Sequence, residues 1–344
     1  MTFEINTCLQ KFNTFGFKVT AEQSIWVKNQ AELLSAMRIA HSENKPWRVL
    51  GGGSNVVLTQ DLPGITLMMR IPGKKLLRET PTHWIIEAGA GENWHDFVAW
   101  TLDQGWPGLE NLALIPGTCG AAPIQNIGAY GLEVGQYVES VEALDTSILN
   151  EANPWVRISG KECEFSYRDS LFKRIPNRYI VTQVNFAIPK VWQANLSYTE
   201  LAKKLSGLEP ISAQAIFKCI CDIRRSKLPD PDLLGNAGSF FHNPVVDENQ
   251  LIQMKQQFPN LVFFATDSSQ GQARYKIAAG WLIDQCGFKG YRQGNVGVYS
   301  QQALVLVNHG GGHGKELLAL AQTIKEKIHA KFGVDLTQEP VVFP

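Results

Sequence analysis

The apolar residues of this chain recur with two different periods, and each period predicts a different element. Apolar side chains three or four positions apart are typical of a helix with one buried face. This spacing predicts helices over residues 29–43, 93–104, 213–225, 248–257, 276–286 and 315–331. Short alternating or continuous apolar runs predict strands on both sides of residues 51–55, at 84–86, over 179–188 and over 303–307. Mixed strands with separate helices indicate the α+β class.

Glycines and other small residues collect in two loops of the first half of the chain. The first is the segment 51–55, GGGSN, and the second is the segment 115–123, IPGTCGAAP. Successive backbone N–H groups in such a turn form a concave site for anions, most often phosphate. A tight hairpin also needs glycine, so the first loop alone leaves both interpretations open. Two such loops together suit a long diphosphate ligand such as a dinucleotide cofactor.

The composition excludes several other classes of protein. Among 344 residues, 32 Lys and Arg balance 32 Asp and Glu, which argues against a role in binding nucleic acid or an anionic membrane. No segment approaches the roughly 18 consecutive apolar residues that span a bilayer, and no secretory signal is recognisable. The six cysteines are scattered without a C-x-x-C pair, which predicts reduced thiols in a cytoplasmic protein and no metal site.

Nine motifs follow one another along nearly the whole chain. They are GGGSN, ENLALIPG, PIQNIGAYG, FSYRDSLFK, KLPDP, NAGSFFHNP, AAGWLIDQCG, QQALVLVN and EPVV. In this order they resemble the type I branch of the UDP-N-acetylenolpyruvoylglucosamine reductase (UDP-N-acetylmuramate dehydrogenase) family. The resemblance implies a cytoplasmic oxidoreductase of peptidoglycan precursor synthesis, and hence of cell wall biogenesis, cell shape and cell division. Its reaction would use NADPH and FAD to reduce the enolpyruvyl ether of UDP-N-acetylglucosamine to UDP-N-acetylmuramate.

The resemblance also implies an architecture, namely an FAD-binding domain of the vanillyl-alcohol-oxidase/cresol-hydroxylase type followed by a C-terminal α+β substrate-binding domain. We expect one FAD-binding subdomain over residues 1–69, joined by 333–344, a second over 70–228, and the substrate-binding domain over 229–332. The protein is expected to be a monomer that binds no nucleic acid and does not insert into membranes. FAD should be bound non-covalently, because no histidine lies in either glycine-rich loop.

Matching of motifs implies three catalytic residues. Arg168 would hold the substrate carboxylate, Ser239 would donate a proton to the substrate carbon, and Glu339 would stabilise the enolate. Each has a plainer interpretation. Arg168 could be a surface or core-capping arginine paired with Asp169, Ser239 a serine that caps a helix or a turn, and Glu339 an exposed glutamate before a proline.

The implied binding residues form two further sets. The residues expected to line FAD are Gly51, Gly52, Gly53, Ser54, Asn55, Ile115, Pro116, Gly117, Gly120, Ala121, Ala122 and Gly128. The residues expected on the substrate side are Tyr130, Tyr198, Lys227, Asn243, Lys276, Lys289 and Gln302. Two departures from the family pattern stand out. Ala121 and Ala122 replace small hydroxyl residues, which would leave only backbone donors, and His242 stands where some relatives carry lysine.

Two other functions are compatible with parts of this pattern. A flavin oxidase of the same superfamily would keep the glycine loops and would often carry FAD attached to a histidine. A non-catalytic module that binds a UDP-sugar or a flavin would also keep the loops, but it would not need Arg168, Ser239 and Glu339 together.

Overall fold

The computed structural model describes residues 2–266 and 273–344. The α-helices of these ranges are α1 (Gln30–Ser42), α2 (Trp94–Asp103), α3 (Leu171–Arg174), α4 (Thr199–Leu205), α5 (Ala213–Lys227), α6 (Glu248–Gln257), α7 (Ala279–Gln285) and α8 (Gly314–Phe332). Short 3₁₀ turns lie at Gln10–Phe12, Glu110–Leu112, Val134–Gln136 and Thr146–Ile148.

The strands before the second half of the chain are β1 (Glu4–Cys8), β2 (Thr20–Val27), β3 (Trp47–Leu50), β4 (Val56–Leu58), β5 (Leu62–Met69), β6 (Lys74–Glu79), β7 (His83–Gly89), β8 (Gly128–Ala129), β9 (Leu132–Glu133), β10 (Val138–Asp145) and β11 (Trp155–Ser159). The later strands are β12 (Tyr179–Pro189), β13 (Gly235–Ser239), β14 (Val245–Asp247), β15 (Phe263–Thr266), β16 (Arg274–Ile277), β17 (Arg292–Gln293), β18 (Val296–Val298), β19 (Val305–Asn308) and β20 (Val341–Phe343).

The best-predicted helices carry their start and stop signals in the local sequence. Asn29 Oδ1 accepts a hydrogen bond from Glu32 N at 2.9 Å at the start of α1, and Asn93 caps α2 in the same way. Gly105, in the left-handed region at φ 77°, follows the end of α2. The predicted helices near 29–43, 93–104 and 213–225 are therefore confirmed within one or two residues.

The helix predicted over 276–286 is wrong at its start. Residues Arg274–Ile277 form β16, and the helix begins only at Ala279. β16 pairs with β14 on one side and with β15 on the other, so backbone hydrogen bonds from distant segments decide its conformation. Helical periodicity inside a short window could not detect these partners.

The chain folds into two compact units. The first comprises the residues up to Thr7, Thr20–Gly53 and Leu62–Arg225. It contains a sheet in the order β1-β2-β5-β3 and an antiparallel sheet in the order β11-β10-β12-β7-β6. Buried side chains of α1, such as Leu33 and Met37, pack with Ile65 and Leu67 of β5. Helices α2 and α5 contribute to the core of the second sheet.

The second unit comprises Cys8–Val19, Ser54–Asp61 and Ser226–Pro344. Its main sheet has the order β13-β19-β18-β17, with the three-stranded sheet β14-β16-β15 and the parallel pair β20-β4 beside it in the same unit. The rings of Phe15 and Phe240 lie 6.4 Å apart in its core. These units cut the chain differently from the three domains expected from the sequence, and that division stays a prediction.

No helix within residues 2–266 and 273–344 is long and apolar enough to cross a membrane. The same ranges contain no cluster of three or more His, Cys, Asp or Glu side chains that could hold a metal ion.

Candidate active site

The first glycine-rich loop does not close a hairpin. The strand before it, β3, pairs in parallel with β5, whereas the strand after it, β4, pairs in parallel with β20. The chain passes from the first unit to the second within this loop, between Gly53 and Ser54. The hairpin interpretation of these glycines is therefore wrong, and another reason for the glycines is required.

Close approach of the second loop supplies that reason. A Cβ atom on Gly52 would lie 2.9 Å from the Cα atom of Gly117, and a Cβ atom on Gly51 would lie 2.9 Å from Thr118 Oγ1. The structure thus brings the two predicted loops into contact inside the first unit. Only glycine leaves the backbones room to approach so closely. The result is a cradle of bare backbone, which fits a diphosphate.

Hydrogen bonds to neighbouring segments fix both loops. Arg70 Nη1 donates to Gly51 O at 3.0 Å, and burial lowers the pKa of this arginine. The N–H groups of Ala121 and Ala122 both donate to Thr118 O, at 3.0 and 3.1 Å. The N–H groups of Ala121 and Ala122 are therefore already hydrogen-bonded within the protein. They are not the backbone donors to a ligand that the sequence predicted at these positions.

Replacing Gly52 by alanine should weaken FAD binding selectively. The added methyl group must displace the Gly117 backbone, and overpacking of this kind costs about 1–3 kcal/mol, so we expect FAD affinity to fall about tenfold or more. The flavin-to-protein ratio after gel filtration measures the effect. Gly207→Ala is the matched control, because it lies in open space at φ 90° and tests backbone strain alone. An equal loss of flavin in both variants would contradict the assignment.

Arg168 lies against the segment that carries Gly128. Its Nη2 atom donates to Gly128 O at 2.5 Å and its Nη1 atom lies 3.5 Å from Asn126 O. The backbone of Arg168 is left-handed, at φ 54°, a conformation in which non-glycine residues often mark a functional site. Asp169 forms its ion pair with Arg174.

Asn126 organises this segment from the inside. It is 1% exposed, its Nδ2 atom donates to Glu133 Oε2 at 2.7 Å and to Ser166 O at 2.9 Å, and its Oδ1 atom accepts from Gly135 N. Its backbone is also left-handed, at φ 44°. These three hydrogen bonds hold the surrounding turns, so they fix the Asn126 carbonyl that faces Arg168.

Tyr130 and Arg224 form a second polar contact in the same unit. The guanidinium of Arg224 donates to Leu114 O at 3.1 Å and hydrogen-bonds the Tyr130 phenol. Burial raises the pKa of Tyr130 to about 12, so this phenol stays protonated at neutral pH. Desolvation lowers the pKa of Arg224, and the positive charge of Arg168 acts in the same direction. The ring of Tyr198 lies edge-on to Tyr130 with centroids 4.9 Å apart.

Ser239 ends strand β13 of the second unit at an irregularity in the sheet. The pairing of β13 with β19 shifts between Asn236 and Ser239, and Gly238 is left-handed at φ 68°. Asn236 Oδ1 accepts from Gly238 N at 2.9 Å and holds this bulge. Bulges of this kind redirect a side chain beside a functional site. Ser239 thus belongs to a strand and does not cap a helix.

The segment that carries Glu339 is hydrogen-bonded to the residues that follow Ser239. Its N–H group donates to Phe240 O at 2.8 Å, while His242 N donates to Thr337 O at 2.9 Å. The side chains of His242 and Glu339 approach to 3.9 Å and are 15% and 14% exposed. Asn55 Nδ2 donates to Glu339 O at 3.3 Å, which places the end of the first glycine-rich loop next to Glu339. The plain interpretation of an exposed terminal glutamate is wrong.

The remaining predicted residues of the second unit have separate surroundings. Asn243 Oδ1 accepts from Ala279 N at 2.9 Å at the start of α7, and Lys276 lies on the central strand β16. The ammonium of Lys289 is 4.0 Å from Asp284, and its side chain is 41% exposed. Gln302 Oε1 would meet a Cβ atom on Gly280 at 2.9 Å, and Lys227 ends α5. Their roles stay predictions.

Comparison with known proteins decides the family. A relative from Polynucleobacter asymbioticus named UDP-N-acetylenolpyruvoylglucosamine reductase is 50% identical over 335 residues, which are 97% of this chain and 95% of that protein. The chain belongs to the UDP-N-acetylenolpyruvoylglucosamine reductase family. A second reductase of this name, from Cupriavidus pinatubonensis, is also 50% identical and covers 97% of both chains. The C-terminal domain of the reductase family matches residues 230–343, and an FAD-binding domain family matches residues 21–147.

Solved structures agree with the fold of the reductase family. The UDP-N-acetylenolpyruvylglucosamine reductase of Thermus caldophilus superimposes with a TM-score of 0.65 at 24% identity and covers 100% of both chains. The 4-ethylphenol oxidase of Gulosibacter chungangensis superimposes with a TM-score of 0.51 at 11% identity, covering 97% of this chain and 84% of that one. The predictions of the family, of an α+β fold with an FAD-binding and a C-terminal domain, and of FAD as cofactor are confirmed.

The sequence reasoning assigned no role to Arg224 or Asn126. Arg224 follows Ile220 by four positions, so it falls on the apolar stripe of α5. A charged residue at a position of the apolar stripe was therefore the one sign in the sequence that could have identified Arg224. Asn126 gave no comparable signal, because its importance depends on the burial of a loop that no periodicity describes.

Proposed function

We propose that this protein reduces the enolpyruvyl ether of UDP-N-acetylglucosamine to UDP-N-acetylmuramate, with NADPH as the reductant and non-covalent FAD as the cofactor. One observation supports the proposal most strongly. Glu339 N donates to the carbonyl oxygen of Phe240, the residue after Ser239, and Ser239 lies at the irregularity of strand β13. This arrangement would supply an acid and a carboxyl group to one reacting centre. The product would serve peptidoglycan precursor synthesis in the cytoplasm, with the protein acting as a monomer.

The cradle of bare backbone would hold the FAD diphosphate. Gly51, Gly52 and Gly117 are the residues whose missing Cβ atoms open it. Ala121 and Ala122 would contact the cofactor by packing alone, since their amides donate to Thr118. Bound FAD would supply the hydride that is added to the vinyl carbon of the substrate.

Arg168 would stabilise the substrate carboxylate. Two guanidinium N–H groups face the carbonyls of Gly128 and Asn126, which fix the orientation of this cation. Negative charge that develops next to the carboxylate spreads onto its oxygens, and a fixed cation there lowers the barrier. A second cation, Arg224, would hold the Tyr130 phenol and add positive potential.

Ser239 would donate its hydroxyl proton to the carbon next to the reduced vinyl carbon. An alcohol is a weak acid, but the carbanion that accepts the proton is strongly basic, so the transfer is downhill. Glu339 would stabilise the enolate as a hydrogen-bond donor, and the side chain of His242 approaches it to 3.9 Å.

A product assay tests the proposal. Purified protein is incubated with NADPH and UDP-N-acetylglucosamine enolpyruvate, and the product is expected to gain two hydrogens by mass spectrometry while oxygen consumption stays at the background rate. Acid precipitation should leave all flavin in the supernatant. Oxygen-dependent turnover, or flavin that remains on the precipitate, would favour the oxidase alternative, and the absence of any turnover would favour a binding module.

Tyr198→Phe should weaken binding of the substrate. We propose that its hydroxyl bonds the substrate diphosphate, and because a hydrogen bond to a charged group contributes about 1.5–3 kcal/mol, KM should rise about ten- to hundredfold. FAD content should change little. Tyr291→Phe is the control, because Tyr291 is 43% exposed and carries no proposed role. An unchanged KM in Tyr198→Phe would show that the hydroxyl does not contact the substrate.

A further inference from the structure

Leu114 has an unusual backbone conformation directly before the second glycine-rich loop. Its φ angle is 58°, in the left-handed region, and among the described non-glycine residues in that region it is the one with an aliphatic side chain. An L-residue is strained there, because its Cβ atom lies too close to the following carbonyl oxygen. A bulky apolar residue keeps such a conformation only where its surroundings impose it. The contacts of the Leu114 backbone therefore require an explanation.

Side chains from two helices hold the backbone of Leu114. Its N–H group donates to His95 Nδ1 of α2 at 3.0 Å, and its carbonyl oxygen accepts from Arg224 Nε of α5 at 3.1 Å. The two partners are 19 and 110 positions away in the chain. Tertiary contacts, and not a local turn, thus hold both polar groups of the strained residue.

The imidazole of His95 is itself held in place. Its ring stacks on the ring of Phe217, with centroids 5.4 Å apart and an angle of 8° between the planes. Phe217 precedes Arg224 by seven positions on α5, which is about two helical turns, so both side chains lie on the same side of this helix. One side of α5 therefore supports both partners of Leu114, the histidine by stacking and the carbonyl by a hydrogen bond.

The start of α2 also holds the loop beyond Leu114. The N–H group of Trp94, the residue before His95, donates to Gly117 O at 3.1 Å. Gly117 is the residue whose backbone faces Gly52 in the cradle of bare backbone. Two successive residues of α2 thus bond the loop at positions that are three residues apart, and the second position forms part of the cradle.

Only an uncharged His95 can accept the hydrogen bond from Leu114. A backbone N–H group can only donate, so Nδ1 carries no proton and Nε2 carries the single proton of the neutral ring. Desolvation lowers the pKa of His95. The positive charges of Arg225 and Arg224 on α5 act in the same direction, whereas Asp96 on α2 opposes them. The ring is therefore uncharged at neutral pH, and protonation at lower pH would replace the acceptor by a second donor.

We propose that His95 is a positioning residue, which holds Leu114 in its left-handed conformation and thereby holds the second glycine-rich loop in the shape that retains FAD. This inference rests on the part of the proposed function that places the FAD diphosphate in the cradle of bare backbone. His95 acts through the loop and needs no contact with the cofactor. Its hydrogen bond contributes fully above about pH 6.5, the ordinary pKa of histidine, and is lost as the pH falls from there through the lower pKa of the folded protein.

Two substitutions at position 95 separate the acceptor from the ring. His95→Phe keeps an aromatic ring against Phe217 but removes the acceptor, so FAD release from the diluted holoprotein at about pH 7.5 should become about three- to tenfold faster, the range for one hydrogen bond. His95→Asn can place an amide oxygen near the position of Nδ1 and should restore most of the retention. The fluorescence of the released flavin measures the rate. Hydrogen exchange of a peptide covering residues 111–118 should become faster in His95→Phe and stay close to the wild-type rate in His95→Asn.

The pH dependence of FAD release is a readout that a merely structural ring would not change. As the pH falls from about 7.5 to about 5, release from the wild type should accelerate toward the rate of His95→Phe. The amide of His95→Asn does not titrate, so its release should vary less with pH. His83→Phe is the matched control, because His83 lies on β7 of the same unit and its Nδ1 atom contacts Thr82 Oγ1 at 2.8 Å. This control should release FAD as the wild type does at every pH.

The proposal is overturned if His95→Phe releases FAD at the wild-type rate at about pH 7.5, or if His95→Asn is as impaired as His95→Phe. If His95→Phe does not fold, the same pH dependence in the wild type and in His95→Asn overturns it, and a flatter one in His95→Asn supports it. A wrong assignment of the cradle is recognised separately, because Gly52→Ala would then retain FAD as the wild type does. In that case faster exchange of residues 111–118 in His95→Phe would still support His95 as the residue that holds the loop, and unchanged exchange would overturn it.

Discussion

Replacing Ser239 by alanine is expected to slow oxidation of the reduced flavin by UDP-N-acetylglucosamine enolpyruvate by about 10²–10⁴-fold, the range attributed to general acid catalysis. Flavin reduction by NADPH requires no proton donor at the substrate carbon and should keep its rate. Without a donor the carbanion returns its hydride, so the second half-reaction cannot finish. Anaerobic stopped-flow absorbance measures the two rates separately.

Ser212→Ala is the matched control for a merely structural serine. Its hydroxyl accepts from Ala215 N at 3.2 Å near the start of α5, so its loss should lower stability by about 0.5–2 kcal/mol and leave both half-reactions intact. Ser239→Cys, which keeps a donor of different acidity, should recover part of the lost rate. If Ser239→Ala slowed both half-reactions equally and lost flavin, the serine would be structural.

Replacing Arg168 by lysine is expected to slow the substrate half-reaction by about 10²–10³-fold, as the loss of one fixed donor does at other sites of developing charge. Lysine keeps the charge but lacks the planar fork that could face the Gly128 and Asn126 carbonyls and a substrate carboxylate at once. KM for the enolpyruvyl substrate should also rise. NADPH-dependent flavin reduction should stay near the wild-type rate.

Arg174→Lys controls for the loss of any guanidinium in this part of the chain. Arg174 pairs with Asp169 and Glu164 at the surface, where ion pairs contribute little, so its kinetics should match those of the wild type. If Arg168→Lys kept normal substrate kinetics but unfolded at a lower temperature, Arg168 would only stabilise the segment that carries Gly128.

The sequence predicted those parts of the fold that local physics determines. Asn29 and Asn93, with which two of the predicted helices begin, cap α1 and α2, so the signals for these helix starts lie within one turn of the chain. The segment Arg274–Ile277 could not be predicted in this way, since two neighbouring strands from elsewhere in the chain make it a strand. Propensity is a weak guide where tertiary pairing decides.

The candidate site likewise contains features that the sequence predicted and features that only the fold shows. Clustered glycines predicted two backbone loops, but only the fold shows that Gly52 faces Gly117. The family resemblance pointed to Arg168, Ser239 and Glu339. The role of Asn126 depends on its burial, and that of Arg224 depends on its contacts with Leu114 and Tyr130, which come from distant parts of the chain. Their contacts fix turns from within, and such contacts leave no period in the sequence.

An anaerobic titration of the flavin tests the central proposal most directly. NADPH is added to the protein until the visible absorbance of the flavin is bleached, and UDP-N-acetylglucosamine enolpyruvate is then added without oxygen. The proposed function predicts that the absorbance returns in proportion to the substrate added, with UDP-N-acetylmuramate formed in equal amount. A flavin that stays bleached until air is admitted would contradict it.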